Sequence, residues 1–358
     1  MRHPDGIYIG QAMEEYVADD ALSGSRFMTL LTDPGDVTWS DPSINPLFEP
    51  PETKPQLRGS AVHCAVLEGL EAFDDAYCLA PSGVLDSGDS MGAWLREAKA
   101  SGVEHLAQLK VSGNKGELRA RIEEARLLLP EDSPLYPRFA DELIAGRRVL
   151  GSSDHAFVRM IERFVRSDED FGKLVSNGVA EISIYLTLEG ERFKCRPDYL
   201  NGEAITDLKS YGRPPGRARS LRQHLVREAF YNGYDLQAVH NAAMIAAAGA
   251  LFLDGELTVS GDMNTANKLG DIFAAHRAKK PVFHWLFLRM GGAIAGIDIP
   301  FRESDGRWQY ACQDVADAVE VYKRYRDECG DRAIWLTAAG KHEIQDTDWP
   351  LDAWSGRE

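Results

Sequence analysis

The sequence predicts a mixed fold of the α/β (α+β) class, in which helices flank a central mixed β-sheet. Three short strands are predicted in the middle of the chain, at 181–188, 192–200 and 203–210, because β-branched and aromatic residues recur there between pairs of turn residues. A long alanine-rich helix is predicted at 221–251. Strands and helices that alternate along one chain are typical of layered α/β and α+β folds.

Hydrophobic spacing and turn residues place the remaining elements. The segment GSAVHCAVLEGLEAF (59–73) has apolar residues at helical intervals, and the run 42–55 is too rich in proline for regular structure. The other predicted elements, in chain order, are a short helical stretch before residue 42, short helices within 92–128 around a turn at 111–114, a helix at 155–165, strands at 281–290 and 293–300, and an amphipathic helix at 308–329.

Length and composition limit the class of protein. A chain of 358 residues with 44% hydrophobic and 27% charged residues can bury a packed core, and we predict one domain over 1–358 with a tail at 331–358. The longest apolar run, 244–253, is too short to cross a bilayer, so no membrane partner is expected. The N-terminus lacks the pattern of a secretory signal, and the five cysteines form no CxxC pair. We therefore expect a cytoplasmic protein with reduced thiols.

The formal net charge of −16 at pH 7 bears on nucleic-acid binding. A protein that coats DNA passively is usually basic, because its affinity comes from neutralising phosphates. An acidic chain that acts on DNA must therefore concentrate positive charge locally or recruit cations. The segment after the third predicted strand concentrates positive charge, since it carries Arg213, Arg217, Arg219, Arg222 and Arg227. Phosphate contact is the functional interpretation, and solvated charges at the start of a surface helix are the alternative.

The hairpin register predicts which side chains share a face of the sheet. Asn-Gly at 201–202 is a strong hairpin signal, and Glu-Gly at 189–190 is a second turn. With two-residue turns at both places, Glu181 stands opposite Asp198, and Asp198 stands opposite Ile205.

Two further charged residues join this face. Side chains alternate along a strand, so Asp207 and Lys209 lie on the same side as Asp198 and Glu181. Three carboxylates this close repel one another unless a cation neutralises them, and Mg²⁺ or Mn²⁺ fits such oxygen ligands. Lys209 could then orient an attacking water or hold it deprotonated. The alternative is a solvated sheet face with incidental charges, because a D-x-K motif alone is a weak signal.

The order of these residues resembles the RecE-type (exonuclease VIII) exonucleases of the PD-(D/E)xK class, relatives of lambda exonuclease and of RecB nuclease domains. The motifs that carry the resemblance are Glu181, KCRPDYL with Asp198, ITDLK with Asp207 and Lys209, and YDLQ with Tyr234 and Gln237. The segment 59–73 resembles the family helix that carries a metal-binding histidine, here His63. The resemblance covers most of the chain and implies a PD-(D/E)xK, restriction-endonuclease-like core.

The resemblance also implies a role for each matching residue. These roles are metal ligation by His63, Asp198, Asp207 and the Leu208 carbonyl, catalysis by Lys209, binding of a second metal or of water by Glu181, and a hydrogen bond near the lysine or the DNA from Gln237. RecB-like sequences often have a tyrosine four residues after the glutamine, where this chain has Asn241. Tyr234 would stand in for that tyrosine.

The activity implied by the resemblance is that of a Mg²⁺-dependent exodeoxyribonuclease. It would degrade linear double-stranded DNA from an end, in the 5′ to 3′ direction, within a phage or prophage recombination system. A single-strand annealing protein would be its partner, and three or four copies would form a ring. The alternatives are a single-strand or structure-specific endonuclease of the same fold, and a catalytically inactive DNA-binding or assembly subunit.

Relative to this family, residues 93–130 are a helical insertion. Within it, LAQLKVSGNKGELRARI resembles the second half of a SAP-type DNA-binding motif. The basic residues that would face phosphate are Lys110, Lys115, Arg119 and Arg121. A helical hairpin with a solvated basic face is the alternative.

Overall fold

The computed structural model of the protein describes residues 2–41, 44–45, 47–48, 53–79, 84–212, 220–330 and 333–335. Within them the fold is mixed α/β, which confirms the predicted class. The strands are β1 (Gly6–Tyr8), β2 (Leu22–Ser23), β3 (Tyr77–Leu79), β4 (Arg148–Leu150), β5 (Val179–Ala180), β6 (Ser183–Leu188), β7 (Glu191–Cys195), β8 (Tyr199–Leu200), β9 (Ala204–Tyr211), β10 (Val259–Ser260), β11 (Val282–Arg289) and β12 (Gly296–Phe301).

Helices surround these strands. In chain order they are α1 (Met13–Ala18), α2 (Phe27–Thr32), α3 (Pro34–Trp39), α4 (Lys54–His63), α5 (Leu70–Ala76), α6 (Gly88–Ala100), α7 (Lys115–Arg126), α8 (Ala140–Ile144), α9 (Ser152–Ser167), α10 (Glu169–Leu174), α11 (Leu221–Tyr231), α12 (Tyr234–Leu253), α13 (Met263–Ala278) and α14 (Gly306–Cys329). Short 3₁₀ turns lie at Gly24–Arg26 and Glu104–Leu106, and a π-helical turn spans Cys64–Glu68.

The strands form two mixed sheets where the sequence predicted one. One sheet has the order β10-β1-β6-β7-β2 and the other has the order β12-β11-β9-β8-β5, while β3 and β4 pair separately. In the second sheet β9 runs antiparallel to β8 and parallel to β11. The three predicted central strands are therefore shared between two sheets.

The first hairpin has the predicted register. Leu188 pairs with Glu191 across the turn between β6 and β7. Glu189 and Gly190 both have positive φ, 50° and 84°, as a two-residue turn between twisted strands requires.

The same register continues across the boundary between the two sheets. Ala180 pairs with Tyr199, and the Glu181 N–H donates to the Asp198 carbonyl at 3.2 Å. The ladder is interrupted beside this bond because Pro197 has no N–H and Glu181 has a φ of 52°, which is unusual for a residue with a side chain. One long bent strand pair therefore contributes to both sheets, and the candidate carboxylates lie at the bend.

In the second hairpin, the turn lies one residue later in the chain than predicted. Leu200 pairs with Ile205 and not with Glu203. The Asn201 side-chain oxygen accepts the N–H groups of Glu203 at 3.0 Å and Ala204 at 2.9 Å, so the turn closes one residue later than expected. The pairing shifts by two residues, and because that number is even the predicted face is unchanged.

The predicted helix at 221–251 is in fact two helices, α11 and α12. They are separated at Gly233, whose φ of 67° favours glycine. A Cβ atom there would also lie 2.8 Å from the Met28 Cβ, so the corner has no space for a larger residue. The corner places Tyr234 and Gln237 in the first turn of α12.

The predicted helix at 59–73 is also interrupted. His63 is the last residue of α4, and the π-helical turn that follows buries Cys64 through Leu67. Gly69, with a φ of 103°, ends this turn before α5. Single π-helical turns inside helical segments are frequently found at functional sites.

The second sheet is buried on both faces. Ile205, Phe283 and Phe287 belong to the cluster that packs against α12, and Leu208 and Leu286 belong to the cluster that packs against α9 and the π-helical turn. By length and composition alone α12 could cross a membrane, but half of its most apolar stretch is buried inside the protein. Its burial is that of a core helix.

A third hydrophobic cluster lies in the region of the predicted insertion. Trp94 and Leu95 of α6 pack with Leu118 and Ile122 of α7. The cluster extends to Leu85 and Phe139, which join through an isolated β-bridge, so it is wider than the predicted 93–130.

Candidate metal and nuclease site

Three of the predicted residues converge where the two sheets meet. His63 at the end of α4, Glu181 before β6 and Asp198 before β8 each offer one ligand atom, and these atoms lie within 4.8 Å of one another. The His63 Nδ1 is 3.8 Å from the Asp198 Oδ2. One imidazole nitrogen and two carboxylate oxygens at this separation fit a small divalent cation, which binds at about 2 Å from each oxygen ligand.

The backbone of β9 holds Asp198 in place. The Asp198 Oδ2 accepts the Leu208 N–H at 2.7 Å. Pro197 stands opposite Leu208 in the register of β8 and β9 and has no N–H to donate. The N–H and the carbonyl of one strand residue point to the same side, so the Leu208 carbonyl also faces the carboxylate edge, as the predicted ligand role requires.

Burial makes Glu181 unusually basic. Desolvation, followed by the negative charge of Asp198, raises the pKa of Glu181 to about 7, while Arg196 and His63 oppose the rise. The Arg196 Nε donates to the Glu181 Oε2 at 2.8 Å. Glu181 is therefore partly protonated at neutral pH, and a cation would displace that proton.

Asp207 lies beside the three-residue group and contacts Lys209. The Asp207 side chain is 5% exposed, and its Oδ2 is 2.8 Å from the Lys209 Nζ. Burial raises the pKa of Asp207 to about 6 even though Lys209 lowers it. The three residues that could hold an ion thus include Glu181, and Asp207, which was predicted as a ligand, lies next to them.

Lys209 is held as a cation. Burial favours its neutral form, but the charges of Asp207 and Asp198 outweigh burial and the pKa of Lys209 is raised. The Nζ also donates to the Gln237 Oε1 at 3.3 Å and lies 4.3 Å from the centre of the Tyr234 ring. The structure therefore brings Tyr234 and Gln237 to the lysine, which can donate hydrogen bonds but cannot act as a base at neutral pH.

The predicted DNA-binding residues after β9 are only partly covered. Arg213, Arg217 and Arg219 lie outside the described residues. Arg222 is exposed in the first turn of α11.

The predicted DNA-binding residues of the insertion make contacts within the protein. The Lys115 Nζ donates to the Asp86 carbonyl at 2.8 Å. Arg119 bonds Glu123 and Asp141, each at 2.8 Å. Phosphate contact by either side chain would require these bonds to break.

Arg196 is a residue of the site that the sequence reasoning did not single out. A signal was present, because Arg196 lies two residues before Asp198 in KCRPDYL and alternation places both on one side of the strand. Its guanidinium carbon is also 5.7 Å from the centre of the Tyr16 ring.

A large cleft lies away from these charges. It has a volume of about 640 Å³ and lies between α12, α13 and the ends of β11 and β12. Its walls are mainly apolar, and none of the candidate metal ligands lines it.

Comparisons with known proteins give little further information. No protein-family model matches the chain, and no curated protein matches it. The crystal structure of a protein named "Putative exonuclease", from Eubacterium rectale, superposes on 97% of this chain and 97% of its own with a TM-score of 0.44 and 14% sequence identity. A likeness this distant does not establish a shared activity.

Proposed function

We propose that this chain is a metal-dependent nuclease, and specifically an exodeoxyribonuclease that degrades linear double-stranded DNA. The observation that carries the proposal is the convergence of His63, Glu181 and Asp198 within 4.8 Å, next to a lysine held in its charged form. Neighbouring groups with strongly shifted pKa values, such as Glu181 and Asp207, are typical of functional sites.

The donor set supports Mg²⁺ or Mn²⁺ as the cofactor. His63, Glu181 and Asp198 would hold the ion, with the Leu208 carbonyl and Asp207 as the further ligands. A bound divalent ion would lower the pKa of a coordinated water and offset negative charge on the phosphate. The close carboxylates, which repel one another without a cation, support this assignment.

Lys209 would act as a hydrogen-bond donor to the reacting groups. Because its pKa is raised, it would orient the attacking water and stabilise the charge that develops on the phosphate oxygens. Asp207, Gln237 and the Tyr234 ring would fix the direction of its Nζ. Of the two roles predicted for Lys209, the charge state supports water orientation rather than deprotonation.

The proposed polarity, pathway, partner and oligomeric state rest on the order of the site residues along the chain. Glu181, Asp198, Asp207, Lys209 and Gln237 follow one another as in RecE-type exonucleases. On that basis we propose 5′ to 3′ degradation in a phage or prophage recombination system in the cytoplasm, with a single-strand annealing protein as partner and a ring of three or four copies.

The test compares three DNA substrates. Purified protein with Mg²⁺ is incubated with linear duplex, covalently closed circle or single strand, and the products are followed with either end labelled. We expect loss of the linear duplex only, with release of mononucleotides from the 5′ end. Asp207→Asn should abolish the reaction, and Asp89→Asn, the same change at an exposed residue of α6, should leave it intact.

The other outcomes distinguish the alternatives. Cleavage of the circle or of the single strand alone would support an endonuclease or a single-strand nuclease of the same chemistry. DNA binding without metal-dependent cleavage of any substrate would contradict the nuclease proposal and support an inactive binding subunit.

A further inference from the structure

The contact between Arg196 and Glu181 involves only one oxygen of the carboxylate. The bond joins the Arg196 Nε to the Glu181 Oε2 at 2.8 Å. Arginine and a carboxylate usually form two parallel bonds when both are free to orient, because the fork of N–H groups matches the two oxygens. The contact holds one oxygen of Glu181 and leaves the second oxygen for another partner.

A second donor of Arg196, Nη1, takes no part in the contact with Glu181. This Nη1 is buried and has no hydrogen-bond partner among the described residues. A buried donor without a partner destabilises the folded state, so the fold does not satisfy every hydrogen-bonding group of Arg196. The Tyr16 ring lies beside the guanidinium and limits its movement.

The position of Glu181 explains why a fixed rotation matters. Glu181 has a φ of 52° and lies at the interruption between the two sheets, so the strand ladder does not orient its side chain. His63 is the last residue of the regular helix α4, and the Asp198 carboxylate accepts a hydrogen bond from a backbone N–H. The Glu181 carboxylate accepts its hydrogen bond from Arg196.

We propose that Arg196 is a positioning residue of the metal site, which holds Glu181 so that its free oxygen faces His63 and Asp198. This role rests on the proposed function, because it presupposes a divalent ion at these residues. Hydrogen bonds to ligating carboxylates commonly change metal affinity by about 10- to 100-fold.

The sign of the effect separates this role from simple electrostatics. Arg196 carries a positive charge next to a cation site, so by charge alone its removal should tighten cation binding. A positioning role predicts the opposite, since Glu181 without Arg196 loses its fixed rotation. The direction of the change in affinity therefore decides between the two.

The experiment measures Mn²⁺ affinity without DNA, by electron paramagnetic resonance of the free ion at constant pH. We expect Arg196→Gln to weaken Mn²⁺ binding about 10-fold or more. Arg196→Lys keeps the charge without the planar fork and should also weaken binding, which covers the case that the glutamine variant does not fold. The matched control is Arg192→Gln in β7, the strand that ends just before Arg196, which removes a guanidinium bonded to Asp19 and should leave the affinity within about two-fold.

A second comparison tests whether Arg196 acts through Glu181. In a Glu181→Gln background, Arg196→Gln should have no further effect on Mn²⁺ affinity, because the two changes remove one interaction. Unchanged or tighter binding by both Arg196 variants would overturn the positioning role while the proposed function stands. No Mn²⁺ binding by the unaltered protein would overturn the proposed function and this role with it.

Discussion

Two regions of the molecule contain ion pairs of the same length, and yet the pKa of the paired carboxyl group is shifted in opposite directions. In the helical segment around α7, Asp141 lies 2.8 Å from Arg119, and the pKa of Asp141 is lowered by that bond. At the candidate site, Asp207 also lies 2.8 Å from its cation, Lys209, yet burial raises the pKa of Asp207 to about 6.

Solvent exposure accounts for the difference. The Asp141 side chain is 61% exposed and the Asp207 side chain is 5% exposed. Water stabilises an exposed carboxylate whether or not it is paired, and a buried one depends on its few neighbours. A metal ion or a phosphate that approaches the buried pair should therefore change the charge state of Asp207. We expect the exposed pair of Asp141 and Arg119 only to hold neighbouring surface segments together.

The largest expected effect tests whether activity belongs to the buried region alone. Lys209→Met should lower the rate of DNA hydrolysis by about 10²- to 10³-fold, because it removes one donor aimed at the reacting groups. Lys99→Met makes the same chemical change at an exposed residue of α6 and should leave the rate unchanged. Steady-state rates on labelled linear duplex measure both variants. Equal losses of rate in the two would contradict the claim that activity depends on the buried region alone.

An intermediate effect is the pH dependence of metal binding. Glu181, with a pKa of about 7, and Asp207, with a pKa of about 6, must lose protons before they can face a cation. Mn²⁺ affinity should rise by about 10-fold per pH unit near pH 6.5, more steeply near pH 5.5, where Asp207 is also protonated, and level off near pH 8. Calorimetry in buffers of different ionisation enthalpy should show proton release at pH 6.5, and an affinity independent of pH would contradict the raised values.

The smallest effect is on the stability of the metal-free protein. The folded pKa of Glu181, about 7, exceeds the value of 4.5 for an unperturbed glutamate, so the folded state holds the extra proton between these values and stability falls as pH rises through them. From pH 6.5 to 8 this amounts to about 1 kcal/mol. Lys194, whose pKa is lowered to about 8, titrates in the same window.

The comparison is therefore made with Glu181→Gln, in which Lys194 is unchanged. Urea denaturation at both pH values should show that the wild type loses about 1 kcal/mol more than the variant over this range. Saturating Mn²⁺ should remove the difference by holding Glu181 ionised. An equal slope in the two proteins would show that Glu181 has an ordinary pKa.

Turn residues and the alternation of side chains along strands predicted one hairpin turn and the face of the sheet that carries the candidate site. The turn at Glu189 and Gly190 and the face shared by Asp198, Asp207 and Lys209 follow from turn residues and strand alternation, and the structure has both. The face was predicted correctly although the second turn was not, because the error of two residues in pairing preserves alternation.

Most of the differences from the sequence predictions have physical causes that lie outside local patterns. The break at Gly233 has a local signal in the dipeptide Asn232-Gly233, but apolar spacing continues through it, and the contact with Met28 that excludes a Cβ appears only after folding. The bend at Glu181 separates one predicted sheet into two. The bond from Arg196 to Glu181 and the pairs of Arg119 depend on which side chains meet after folding. The metal, the DNA substrate and the ring stay predictions.

The most direct test of the account is the position of a metal ion in crystals grown or soaked with Mn²⁺. An anomalous difference map should show a peak at about 2.1–2.3 Å from an imidazole nitrogen of His63 and from carboxylate oxygens of Glu181 and Asp198. A well-occupied peak elsewhere, or no peak at these residues at saturating Mn²⁺, would contradict the claim that the bend between the two sheets is a metal-dependent active site.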